Sequence, residues 1–267
     1  RAHVDPEWFG TDDVLEQTAP ARDRLEEEAR EGLRQLAAEA ERHGVPVRYE
    51  VQANLDVAGA ILEHADDVDA DLIVTGTHGR EGLSRLLLGS VAQKVVRRAH
   101  RPVLTVGVEA PDAPAIRRVL APVDFSEPSK QALRLAKDVA ALYDARLELL
   151  FVAEDRTVPV FSDTGLPHLG TVKRDPEIGE DARQGLEQLS ESVGGPPVPA
   201  RGYVAEGDVP EQILDFAGQH AVDLIVMATR GLAGLDRLLI GSVTQRVVRA
   251  APCPVLTLNA HEGQERG

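Results

Sequence analysis

The sequence predicts two tandem α/β domains, each a doubly wound parallel sheet, and three observations carry that reading. Residues 71–106 and 223–258 are the same segment written twice, with 23 of 36 positions identical and no gap. A match that long over strand, loop, helix and strand means two copies of one domain. Strand-like and helix-like stretches alternate along each copy, and several strands are apolar at successive positions, as strands covered on both faces are. Length agrees, since 267 residues fit two domains of ordinary size.

In the second copy, Arg118 to Asp124 is a short apolar run ending in a polar turn, read as a strand. Ser126 to Leu142 follows with Ala132, Leu133, Leu135, Ala136, Val139 and Ala140 at helical spacing. Leu147 to Ala153 is the next strand, and Thr157 to Asp175, rich in Gly, Pro and Asp, reads as a loop. Glu177 to Val193 is helical and Val198 to Val204 a strand. Asp208 then opens a helix with Glu211 three residues on, the capping-box spacing. Leu224 to Ala228 is a strand, Ser242 to Ala250 a helix, and Val255 to Leu258 the closing strand.

The first copy repeats this from its middle onward. Ala21 to His43 reads as helix, Val45 to Val51 as strand, Asp56 to His64 as helix, Leu72 to Thr75 as strand, Ser90 to Ala99 as helix and Val103 to Val106 as strand. Aligning residues 1–7 with 149–155 places Val4 opposite Val152, so strand 1, helix 1 and most of strand 2 have no counterpart. Met227 is the only methionine, and the natural chain is expected to begin further upstream. The expected domains are residues 1–108 and 116–267, joined by a stiff linker at 109–115 that holds two prolines.

Composition narrows the functional classes. A net charge of −15 argues against nucleic acid as a partner, because neutralising phosphates needs a clustered basic surface. No apolar run approaches the ~20 residues that span a bilayer, and the first residues carry no signal-peptide pattern, so the expected location is cytoplasmic with no membrane partner. Cys253, the single cysteine, lies between Pro252 and Pro254 and reads as a packing residue. The eight histidines show no metal-ligand spacing, and no metal site is expected.

The chemistry points to one loop. In the first copy the strand runs into Gly76-Thr77-His78-Gly79, then nine residues, then Gly89-Ser90 at a helix start; the second copy has Ala228-Thr229-Arg230-Gly231, nine residues, then Gly241-Ser242. Glycines let a backbone approach an anion, and a helix N-terminus offers N–H groups and the positive end of its dipole. The hydroxyls of Ser90, Ser242 and Thr244 are candidates for further hydrogen bonds. The loop is not a Walker A motif, since no GxxxxGK[ST] occurs.

Together with VLAPVDFSEPSKQAL at 119–133 and the PVLT ending of both copies, this loop makes the chain resemble the universal stress protein family, as a tandem pair whose first member is incomplete. The resemblance implies an adenine nucleotide alpha hydrolase-like fold and a stress-response regulator that binds ATP or a related adenine nucleotide, with or without magnesium. Carried over, the second copy would use Pro122, Val123, Asp124, Val152, Met227, Ala228, Gly231, Gly241, Ser242 and Val243. The first copy would offer Gly76, Gly79, Gly89 and Ser90 but no counterpart of Asp124. The resemblance also implies that the last strands of the two copies pair about a two-fold axis inside one chain, leaving higher homo-oligomers open.

Several residues keep two readings. Asp124 is a ligand contact or a helix cap; His78 and Arg230, at one repeat position, are anion contacts or solvated side chains; Arg85 and Arg237 draw an anion in or pair with acidic neighbours. Met227 is core or a base clamp, and leucines 86–88 and 238–239 read as core. Ala228, where the motif has glycine, is a mild change at an ordinary φ and a severe one at positive φ. No nucleophile with an adjacent base is evident, so binding is expected rather than turnover, with slow ATP hydrolysis or autophosphorylation as the upper limit. The alternative function is a tandem interaction module, an adaptor with a purely structural loop. An adenylating enzyme of related architecture fits less well, because PVDFSE stands where such enzymes carry an SGGxDS-type loop.

Overall fold

The computed structural model describes residues 11–52, 56–77, 88–107, 115–153, 158–161, 167–170, 185–186, 188–230 and 240–259. Residues 1–56 and 57–267 form two compact units. The first holds α1 (Thr11–Arg42), which begins ten residues earlier than periodicity indicates and runs through Pro20. Proline removes one backbone donor and disfavours a helix interior, yet here it does not end the helix. On its later turns Arg30 pairs with Glu26 and Arg34 with Glu31, as expected of a solvated acidic face. Residues 45–51, expected as a strand, form none. Val45 and Tyr49 are exposed, and a β-propensity run becomes a strand only when a neighbour supplies its hydrogen bonds.

The second unit contains α2 (Val57–Asp67), β1 (Ile73–Gly76), α3 (Ser90–Arg98), β2 (Val103–Val106), β3 (Arg118–Pro122), α4 (Glu127–Leu142), β4 (Arg146–Ala153), β5 (Val158–Phe161) and β6 (Pro167–Gly170). Next come α5, described at 185–186 and 188–192, then β7 (Ala200–Glu206), α6 (Val209–Gln219), β8 (Leu224–Ala228), α7 (Ser242–Ala250) and β9 (Val255–Leu258). Seven strands form one sheet in the order β1-β2-β9-β8-β3-β4-β7. Every neighbouring pair is parallel except β2 with β9. The segment expected as a loop at Thr157 to Asp175 contains the antiparallel hairpin β5–β6. Its apolar residues, Val158, Val160, Phe161 and Leu169, are too few for a periodic signal among the Gly and Pro of the segment.

Alternation along the strands builds two apolar layers. Val119 and Ala121 of β3, with Leu147 and Leu149 of β4, face Leu133, Ala136 and Ala140 of α4 and Leu186 and Leu189 near α5. Leu120, Leu150 and Ile225 face the other way, onto Ile213 and Ala217 of α6 and Val247 and Val248 of α7. Helices on both faces of a mostly parallel sheet make the fold α/β and doubly wound. The chain steps outward from β3 through β4 to β7 and then returns to β8 on the opposite side of β3. The switch point therefore lies between the carboxyl ends of β3 and β8.

The two copies meet at β2 and β9. Leu104 sits opposite Leu256, flanked by Val103 with Thr257 and Thr105 with Val255. Thr105 Oγ1 donates to the Val255 carbonyl at 3.0 Å, and Thr257 Oγ1 donates to the Val103 carbonyl at 3.2 Å, the same bond made in each direction. Two apolar residues are exchanged as well. Leu88 packs against the second copy's cluster around Val247, and its repeat partner Ile240 packs against the first copy's cluster of Ala58, Val95, Val96 and Val103.

Candidate functional site

Parallel strands β3 and β8 end side by side, at Pro122 and Ala228, and Val123 and Asp124 follow directly on β3. Val123 is buried and its N–H donates to the Leu150 carbonyl at 2.9 Å, while Val152 lies further along β4, half-buried. Met227 and Ala228 are buried at the end of β8, paired with Thr257 and Leu258 of β9. Met227 packs in the core with Leu120 and Val247. Gly79, Gly231, His78, Arg85, Arg237 and leucines 86, 87, 238 and 239 lie outside the described residues.

The structure resolves the question at Ala228. Positive φ among non-glycine residues occurs at Asp69, Phe125, Asp144 and Ala221, and neither Ala228 nor its first-copy counterpart Gly76 is in the left-handed region. Both sit in regular strands. Alanine is therefore a mild replacement, since no backbone angle there demands glycine.

Gly241 has a different requirement. Its N–H donates to the Thr229 carbonyl at 2.9 Å, clasping the end of the loop to its start. A Cβ at Gly241 would lie 3.1 Å from that same carbonyl oxygen, so the glycine is needed for close approach at an ordinary φ of −60°. The first copy makes the same clasp, with Gly89 N–H donating to the Thr77 carbonyl at 2.8 Å. Gly89 and Gly241 are the N-cap residues of α3 and α7, and as glycines they offer no side-chain cap. By contrast, Ser126 caps α4 by accepting from Ser129 N–H, and Asp208 caps α6 by accepting from Glu211 N–H at 3.1 Å. Among the described residues no side chain caps the two helices that follow the glycine loops, which begin at the positive end of the dipole. Ser90 and Ser242, their first residues, are exposed, and Val243 is half-buried.

Thr244 does not join them. It is buried, and its Oγ1 donates to the Ala228 carbonyl at 3.0 Å, tying α7 to β8. Asp124 is a cap at one remove: its carboxylate accepts from Ser126 N–H at 3.1 Å and from Ser126 Oγ at 2.6 Å, and Ser126 is the residue that caps α4. Between them Phe125 takes a left-handed φ of 64°, its ring held against Phe151 at 5.3 Å between centroids. The turn thereby holds the aspartate against the start of α4. Burial, with Asp223 nearby, pushes the Cys253 thiol up to about 12, which suits a packing residue and not a nucleophile. Among the described residues no group of three or more His, Cys, Asp or Glu could hold a metal ion.

A model of the universal stress protein family matches residues 2–107 and 115–259. The chain belongs to the universal stress protein family. A universal stress protein of Methanocaldococcus jannaschii is 33% identical over 146 residues, which is 53% of this chain and 81% of that protein. One from Bacillus subtilis is 32% identical over 142 residues, 52% of this chain and 96% of the relative. Among solved structures, a universal stress protein from Archaeoglobus fulgidus overlays with a TM-score of 0.67 at 22% identity, covering 91% of this chain and 80% of that one. That likeness shows the fold over nearly the whole chain. No described helix is long and apolar enough to cross a membrane.

One part of the site was missed by sequence reasoning. Asn259, directly after β9, is buried and its Oδ1 accepts from Thr229 Oγ1 at 3.0 Å and from Arg230 Nη2 at 3.1 Å. The repeat held a hint, because Gly107 occupies that position in the first copy and so the two copies differ there. Arg230 is half-buried and engaged with Asn259, so it is not simply a solvated side chain.

Proposed function

We propose that this member of the family is a stress-response regulatory protein that binds ATP or a related adenine nucleotide at the switch point of its second copy. The observation that carries the reading is the N-terminus of α7, where no side chain among the described residues caps the helix and Gly241 is clasped to the loop start by its bond to the Thr229 carbonyl. Phosphate is the anion such a helix start accepts. The α7 start and Ser242 would hold the phosphates, with Gly231 in the loop between. Pro122, Val123, Asp124, Val152 and Met227 would line the base and ribose side. Magnesium would enter only with the nucleotide. The bound group supplies a change of charge and shape that a partner protein reads; the chain's own residues bind and orient it.

We assign the copies to residues 1–108 and 116–267, with 109–115 as linker and the cytoplasm as the place of action. The first copy keeps the Gly89–Thr77 clasp, and the proposal concerns the second copy, where Asp124 and the α7 start occur together. Calorimetric titration of the full chain with Mg-ATP, AMP and cyclic AMP tests the reading, beside Gly241→Val and Ser242→Asp variants. Gly241→Val drives a side chain onto the Thr229 carbonyl. Ser242→Asp, at an exposed first helical residue, suits the dipole and keeps the fold but repels phosphate. Binding near one to one that both variants abolish supports the site. No heat from folded wild-type chain overturns it, and the tandem fold then serves as an adaptor.

A further inference from the structure

The two glycine loops are each held partly by the other copy. Leu88 immediately precedes Gly89 and packs into the second copy's cluster, while Ile240 immediately precedes Gly241 and packs into the first copy's. That exchange is symmetric, but one polar contact is not. Asn259 is 8% exposed and uses its carboxamide to the full. Its Nδ2 donates to the Arg97 carbonyl at 3.0 Å and the Ala99 carbonyl at 3.2 Å, both at the C-terminal end of α3. Its Oδ1 accepts from Thr229 and Arg230 at the start of the second copy's loop. Two donors and two lone pairs are all an amide side chain has. Gly107 stands at this position in the first copy and has no side chain to return the contact.

We infer that Asn259 is a positioning residue that fastens the start of the second copy's loop to the end of α3 in the first copy, so that ligand affinity at the second copy reports the packing of the first. The ligand in this inference rests on the nucleotide reading above; the linkage itself does not. The path is short and built of stiff parts. Thr229 and Arg230 join Asn259, Asn259 joins the α3 carbonyls, and α3 is a nine-residue helix, roughly 13 Å long, whose other end is Ser90. A buried amide with every group satisfied holds one geometry, because any shift strands a donor or acceptor out of water. Donation to the last carbonyls of a helix is also the favourable polarity at that end.

The test uses the full chain and a perturbation made in the first copy, Val96→Ala, which opens space beneath α3 at a residue 1% exposed; any effect relayed through Ile240, which packs on the same cluster, is common to all backgrounds and cancels in the comparison. Mg-ATP affinity is measured for that change with Asn259 present and in Asn259→Ala and Asn259→Ser backgrounds, the serine variant being the fallback if alanine fails to fold. The expected result is a loss of about fivefold on Val96→Ala with Asn259 present, the low end of measured site coupling, and less than about twofold without it. A general loss of stability would lower affinity alike in all backgrounds, and that outcome overturns the inference. Hydrogen exchange gives a ligand-independent arm. Asn259→Ala is expected to speed exchange of the Thr229 and Gly241 amides about tenfold while Leu149 and Phe151 amides in β4 are unchanged. Unchanged exchange at Thr229 and Gly241 overturns the linkage. Should wild type bind no Mg-ATP, the nucleotide reading fails and the exchange arm alone decides.

Discussion

The same four residues, Asp-Leu-Ile-Val, lead into β1 and β8 and meet different fates. At β8, Leu224 and Val226 are 4% and 0% exposed; at β1 their repeat partners, Leu72 just before the strand and Val74 within it, are 43% and 60% exposed. The difference is not in the strand but beside it. β8 lies between β9 and β3, whereas β1 pairs with β2 alone among the described residues. The aspartate follows suit. Asp223 accepts from the backbone N–H groups of Arg117 and Arg118 at 2.8 and 2.9 Å, bonds that depend on β3. An apolar run is thus a capacity for burial, and the neighbouring element determines how much of it is realised.

The comparison extends to Cys253 and Arg101, which share a repeat position. Arg101 reaches Asp69 at 2.6 Å, while Cys253 is half-buried and its thiol is pushed up to about 12 from 9.0. A raised thiol pKa means less thiolate, so alkylation of Cys253 at pH 8 is expected to run about a thousandfold slower than for an ordinary cysteine. The rate should climb about tenfold per pH unit through pH 9–11 without levelling. Iodoacetamide labelling read by mass spectrometry checks this, and a plateau near pH 9 would mean that burial in the second copy does not shield the thiol.

Truncation of the paired leucines comes next in size. Leu224→Ala is expected to cost about 3 kcal/mol and Leu72→Ala less than about 1 kcal/mol in urea unfolding, since only the first leaves a cavity. Equal losses would break the comparison, because they would place Leu72 in a buried setting. The joint offers a sharper probe of symmetry. Thr105→Val and Thr257→Val each remove one of two reciprocal hydrogen bonds and should each cost about 1 kcal/mol. Clearly unequal values would show that the joint is not two-fold in its energetics. The smallest effect is local to the second copy: Ser126→Ala, which removes the α4 cap and the partner of Asp124, is expected to cost about 1 kcal/mol or slightly less. Thermal melts of the full chain measure it.

How much was legible follows from the range of each interaction. The capping of α6 by Asp208 was read directly, because cap and capped residue are three apart. Most of the strands and helices of the second copy were read to within two residues for the same reason. Residues 45–51 failed, since β-propensity without a partner is no strand. The helix expected at Ala21 to His43 begins at Thr11 and runs through Pro20, a residue that disfavours a helix interior. Pro122, Val123, Met227 and Ala228 lie at the carboxyl ends of β3 and β8, with Gly241 bonded to Thr229 just beyond, while Thr244 turns inward to the Ala228 carbonyl. Asn259 was invisible, because its importance comes from carbonyls 160 and 162 positions away.

By itself the sequence determined the two-copy plan, the alternation of strand and helix, and the glycine loop that precedes a helix, because each is written in a short window or in the repeat. Tertiary structure decided the rest. The exchange of Leu88 and Ile240, the clasp of Gly241 on Thr229 and the bridge at Asn259 all depend on which surfaces meet. Local propensity specifies what a segment can become; burial and hydrogen-bond satisfaction, which need a neighbour, specify what it does become.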